Sequence, residues 1–137
     1  MTNLHELLQA LSRGEAFTFQ PFYGHTPRAD GRLSDACFSQ WWRCEFVVDD
    51  VRYSSAEQFM MAEKARVCGD GETLARILTT HEPSLVKKLG REVRNYDDAK
   101  WSAARFDAVT RGSIAKFSAT PALREFLLAT GEAVLVE

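Results

Sequence analysis

The run Tyr53-Ser54-Ser55-Ala56-Glu57-Gln58-Phe59-Met60-Met61-Ala62-Glu63-Lys64-Ala65 carries the sequence's clearest acid–base potential. Glu57 and Lys64 are seven residues apart, which on a helix puts them on one face about 10 Å apart along the axis. Side chains of that length can converge on a small ligand held over the face. The same residues also have a plain structural reading, which pattern alone favours. Ser54 and Glu57 have the spacing of a capping box, and Lys64 is an end-of-helix cation that suits the macrodipole. Arg91 and Arg94, beside Gly90, have the chemistry to hold phosphate. Their bland reading is a solvated basic stretch with Lys87 and Lys88. Trp41-Trp42 and Trp101 read as core more readily than as ligand platforms, and Phe38, Phe59 and Phe117 read as core outright.

Other chemistries lack their residues. There is no Gly-rich phosphate loop, Walker sequence or GxSxG elbow. His5, His25 and His81 lie far apart and none sits at ligand spacing from a Cys or carboxylate, so no metal site is expected. Cys37, Cys44 and Cys68, an odd count without a Cys-x-x-Cys pair, fit free thiols in a reducing compartment; a cytoplasmic protein is the expectation. No apolar run suits a membrane span, and the N-terminus lacks the pattern of a signal peptide. The formal net charge of −2 argues against a broad basic face for nucleic acid and leaves room for a local nucleotide pocket.

The elements that must position these residues follow from periodicity and punctuation. The 137 residues, 45% hydrophobic and 26% charged, are enough for one globular domain, expected over 1–137. Leu4, Leu7, Leu8 and Leu11 predict a helix over residues 3–12, ended by Gly14. Phe17, Phe19 and Phe22 predict an extended segment, and Gly24 to Gly31 a loop. Residues 44–48 and 51–53 predict a hairpin across Asp49-Asp50. Helices are then expected from Ser54 to about Cys68, over 72–80, over 84–90, from Asp97 or Asp98 to Phe117, and from Thr120-Pro121 to Gly131. The fold class is mainly α (α+β): a compact helical domain with a small N-terminal β-hairpin or sheet.

Several pieces together resemble the NADAR family, also called YbiA-like. They are Phe22-Tyr23, Phe38-Ser39-Gln40-Trp41, Phe46 to Tyr53, Ser55 to Ala65, Lys88-Leu89-Gly90-Arg91, Trp101, Lys116-Phe117-Ser118, Leu127 to Gly131 and Leu135-Val136-Glu137. The run from Ala56 to Ala65 is the strongest. The resemblance implies a compact helical fold and a hydrolase of N-glycosidic bonds on ribose. Its implied substrates are ADP-ribose on the amino group of guanine in nucleic acid, or phosphorylated ribosylamino intermediates of riboflavin biosynthesis. It also implies a functional link to an ADP-ribosyltransferase, and no cofactor.

By position, the implied catalytic residues are Glu57 and Lys64. Trp101, Arg91, Gly90, Trp41 and Tyr23 make up the substrate-binding set. Family members continue past the equivalent of Leu135-Val136-Glu137 with a polar stretch that carries an active-site Asp. The expectation is therefore a domain without that segment. Both substrate classes join ribose C1 to an exocyclic amine, which allows ring opening to an imine. Glu57 is then the general acid and base, and Lys64 the amine that forms a transient Schiff base. Met60, Met61 and Trp101 are candidates to exclude water. The competing route is direct hydrolysis with a second carboxylate, Lys64 serving as an anchor. A non-catalytic binder of ADP-ribose or related nucleotides is the alternative of another class, and a plain helical interaction domain a distant third.

Overall fold

The computed structural model describes residues 3–137. In chain order its elements are α1 (Leu4–Ser12), β1 (Phe19–Pro21), a single 3-10 turn (Asp35–Phe38), β2 (Phe46–Val48), β3 (Val51–Tyr53), α2 (Ala56–Val67), α3 (Gly71–Leu78), α4 (Pro83–Arg91), α5 (Asp98–Ser118), α6 (Pro121–Leu128) and β4 (Val134–Val136). The mainly helical expectation holds, and each predicted helix is present to within a few residues.

Local chemistry sets the boundaries. Asn3, Ser55, Asp70, Asp97 and Thr120 each cap a helix by accepting a backbone N–H with the side chain. Pro83 and Pro121 sit in the first turns of α4 and α6, where a missing N–H costs nothing. β2 and β3 pair antiparallel with Phe46 opposite Tyr53 and Val48 opposite Val51. Asp49 and Asp50 both take positive φ, 50° and 62°, as a tight two-residue hairpin turn requires. The extended segment around Phe19 finds a partner that the sequence reading did not assign: β4 pairs with β1 in parallel, Phe19 opposite Val134.

α2 is the central element. Its buried residues, Ala56 to Phe59, Met61, Ala62 and Ala65, leave little of its circumference to solvent. α3, α4 and α5 all pack on it. Close approach is bought by two glycines. A Cβ on Gly90 of α4 would lie 2.0 Å from Met61 Sδ, and one on Gly112 of α5 would lie 2.7 Å from Phe59 Cδ1. The larger core forms here, around Phe46, Tyr53, Phe59, Ile77, Val86 and Trp101. A smaller one joins Cys37, Phe38 and Leu123, with Phe22, Trp42, Phe117 and Phe126 half-buried against them. Trp41, Trp42 and Phe117 are thus half-buried rather than fully core.

Candidate active site

The cap of α2 decides what Glu57 is available for. Two overlapping boxes are possible, Ser54 with Glu57 and Ser55 with Gln58. The structure uses the second, which corrects the expected register by one residue. Ser55 Oγ accepts from Gln58 N at 3.1 Å, and Gln58 Oε1 accepts from Ser54 N at 2.8 Å. Gln58 Nε2 donates to Ile77 O at 3.0 Å and Thr80 O at 2.9 Å. A carboxylate could not make those last two bonds, because it has no donor. Gln58 therefore takes the structural role.

Glu57 is left outside the cap. It is 4% exposed, and its backbone N–H donates to Gln40 O at 3.0 Å. The Trp41 side chain favours the ionised form of its carboxyl. Burial pushes the carboxyl above its ordinary range, against the pull of Lys87, the indole and Lys64. The result is a carboxyl biased toward holding a proton, the property a general acid needs.

Lys64 lies two turns further along α2. Its Nζ donates to Gly90 O at 2.7 Å and lies 4.8 Å from the centre of the Tyr96 ring. Burial lowers the ammonium's pKa and the Arg91 charge adds to that, against Cys68 and Glu57. An amine so placed is easier to deprotonate, as a nucleophile must be.

The other sequence-predicted residues fall in different places. Gly90 is buried, and serves as the Lys64 acceptor and the contact point of α4 on Met61. Arg91 is exposed and acts on Lys64. Trp41 is half-buried between Glu57 and two cationic or aromatic neighbours: Lys87 Nζ is 5.6 Å from its ring, and His25 meets it edge-on at 5.4 Å. Trp101 is 5% exposed within the larger core. Tyr23 is 96% exposed. Arg94 is committed to Asp70 and Glu72 by ion pairs.

Lys87 and Tyr96 belong to this neighbourhood and were not singled out from the sequence. The Lys87 charge acts on the Glu57 carboxyl more strongly than that of Lys64. The signal for it was its spacing: Lys87 and Arg91 are four apart on α4 and share a face. Tyr96 carried no such signal, because it sits in a turn next to Asn95, whose φ is 58°. A wide cleft lies elsewhere. It has a volume of about 1240 Å³ between α1, β1 and β4, and its lining includes Leu4, Leu7, Phe17, Phe19 and Val134. Among the described residues two glutamates and no cation line it, which suits neither a phosphate nor a carboxyl–amine pair. Among the described residues no three His, Cys, Asp or Glu side chains are grouped as metal ligands, and no helix is long and apolar enough to cross a membrane.

Comparison with known proteins bears on this arrangement. The N-glycosidase R617 of Acanthamoeba polyphaga mimivirus is 40% identical over 105 residues, covering 73% of this chain and 62% of that protein. The NMR structure of the E. coli protein YbiA matches with a TM-score of 0.74 at 24% identity, over 88% of this chain and 66% of YbiA. The likeness to YbiA establishes the fold. The chain spans a little under two-thirds of the length of both. The NADAR domain matches residues 22–137, which include every element from β2 to β4 and the whole Glu57–Lys64 neighbourhood. The chain belongs to the NADAR domain family.

Proposed function

We propose that this chain is a ribosyl N-glycosidase that cleaves the bond between ribose C1 and an exocyclic amine, with ADP-ribose on guanine as the preferred substrate and phosphorylated ribosylamino compounds as the second. The observation that carries the reading is the pair on α2: a buried carboxyl pushed upward in pKa and a lysine amine pushed downward. The name of the mimivirus relative, an N-glycosidase, supports the reaction class.

The mechanism follows from the two shifts. Protonated Glu57 delivers its proton to the ribose ring oxygen while the exocyclic nitrogen lone pair forms the C1=N bond, opening the ring. Neutral Lys64 adds to C1. The Glu57 carboxylate passes protons so that the base leaves as a neutral amine and Lys64 holds C1 as a Schiff base. Water hydrolyses that bond, freeing Lys64 and an aldehyde that recloses to ribose. Lys87 and Arg91 add positive charge beside the pair, as a phosphorylated substrate requires. A small nucleotide suits the surface better than an intact duplex. Of the arginines that might offset repulsion from a duplex, Arg28 pairs with Asp30 and Arg43 with Glu82.

The test is cleavage of ADP-ribosylated guanosine. Wild type is expected to release guanosine, and Glu57→Gln to lose about 100-fold or more of that turnover, the usual worth of a general acid or base. Binding of the nucleotide without turnover by wild type would replace the enzyme reading with that of a binder.

A further inference from the structure

Lys116 is an ionisable group that the proposed chemistry does not use. It lies near the C-terminal end of α5 and is 1% exposed, deeper than Glu57. A buried ammonium is retained where its hydrogen bonds are made. Lys116 Nζ donates to Ser39 O at 2.8 Å, and the rings of Phe117 and Trp42 lie 4.9 and 5.7 Å away. The thiols of Cys37 and Cys44 are the groups that act on its charge. A methionine would fill the same space without desolvating a charge, so the lysine's distinct contribution is its bond to the Ser39 carbonyl.

That carbonyl belongs to a turn that leads directly to Glu57. Ser39 O also accepts from Trp42 N at 3.1 Å, and Ser39 Oγ accepts from Trp41 N at 3.2 Å. The next residue, Gln40, offers its carbonyl to Glu57 N at 3.0 Å. The one after, Trp41, carries the side chain that favours the ionised Glu57 carboxyl. The turn thus holds the Glu57 backbone N–H, and Lys116 ties the turn to α5.

We propose that Lys116 is a positioning residue for Glu57, holding the turn of residues 39–42 in place against the start of α2, where Gln40 O accepts from Glu57 N. The inference rests on the reading of Glu57 as the acid–base group, and it has its own readouts. The groups that face the Glu57 carboxyl are the Trp41 indole, Lys87 of α4 and Lys64 of α2. Displacing Trp41 removes an influence that favours the ionised form, so the carboxyl should hold its proton more tightly.

The experiment is an NMR titration of the Glu57 side-chain carbonyl carbon, with the Trp41 indole proton followed in parallel, in wild type, Lys116→Met and Ser39→Ala. In Lys116→Met the Glu57 midpoint is expected about half a pH unit or more above wild type, with the indole proton shifted upfield. Ser39→Ala, which removes the buried hydroxyl that accepts from Trp41 N, is expected to move both in the same direction by less. On the glycosidase assay, Lys116→Met is expected to lower kcat about tenfold with KM little changed. A folded Lys116→Met with both NMR signals at their wild-type positions overturns the inference. Should that variant not fold, unchanged signals in Ser39→Ala overturn it. Both NMR shifts in a protein that cleaves no ribosylamine would support the positioning role and overturn the proposed activity.

Discussion

Glu57 and Asp70 are both buried carboxyls, and their surroundings push them in opposite directions. Glu57 is raised chiefly by desolvation. Its folded form binds a proton more tightly than the unfolded chain, so its burial lowers stability progressively as pH climbs through the ordinary carboxylate range and up to the raised value. Glu57→Gln removes that loss while keeping the size and shape of the side chain. The variant is expected to melt higher than wild type near pH 7, with the difference shrinking below about pH 4, where an ordinary carboxyl is protonated in both states. Thermal melts across pH read this directly. A functional group kept at a cost to stability would show such a gain on removal. Lys64 offers a chemical test at the same scale. Borohydride added during turnover should leave a ribosyl adduct on Lys64, and Lys64→Met should carry none. No mass increase on active wild type would favour direct hydrolysis, with Lys64 as an anchor.

At the scale of elements, the cap of α2 shows both what the sequence revealed and where it was ambiguous. A helix start at Ser54-Ser55 and its end near Cys68 were legible from hydroxyls, spacing and Gly69. The register was not, because both Ser54–Glu57 and Ser55–Gln58 have the right spacing. What resolves it is long-range: Gln58 Nε2 meets carbonyls of residues 77 and 80, which no local pattern discloses. Ser55→Ala is expected to cost about 1 kcal/mol by denaturant unfolding. Gly90 was legible as part of a motif but not as a packing position. Gly90→Ala is expected to destabilise by about 1–3 kcal/mol through overpacking on Met61. Pairing it with Met61→Ala should recover part of the loss in a double-mutant cycle. The strand β4 escaped the sequence reading because Val134–Val136 is short and gains strand character from β1, more than a hundred residues earlier.

Over the whole molecule, the candidate site is assembled from segments far apart in the chain: Trp41 from the turn after Asp35–Phe38, Glu57 and Lys64 from α2, Lys87 and Gly90 from α4, and Tyr96 from the segment before α5. Glu57 and Lys64 could be paired from sequence because one helix carries both. Lys87 could be grouped only with Arg91 on α4, and Tyr96 not at all, since tertiary packing alone brings α4 and the segment before α5 to α2. Asp70 holds part of that packing. It caps α3 at Thr73 N and accepts from Arg94 N at 2.8 Å, fixing the segment that leads to Tyr96. These bonds hold its carboxyl well below the usual range. Its contribution is present above the ordinary carboxylate pKa and is lost as pH falls toward the lowered one. Asp70→Asn should therefore lower the melting temperature at pH 7 and do so progressively less as acid is added. That is the opposite trend to Glu57→Gln, in which a stabilising effect fades with acid.

The measurement that tests the central claim most directly is a proton NMR time course of ADP-ribosylated guanosine with the wild-type chain and with Glu57→Gln. The account predicts loss of the substrate's ribose C1 proton signal and release of guanosine with wild type, and near-absence of both with a folded Glu57→Gln. Equal cleavage by the two proteins, or none by either, would contradict it.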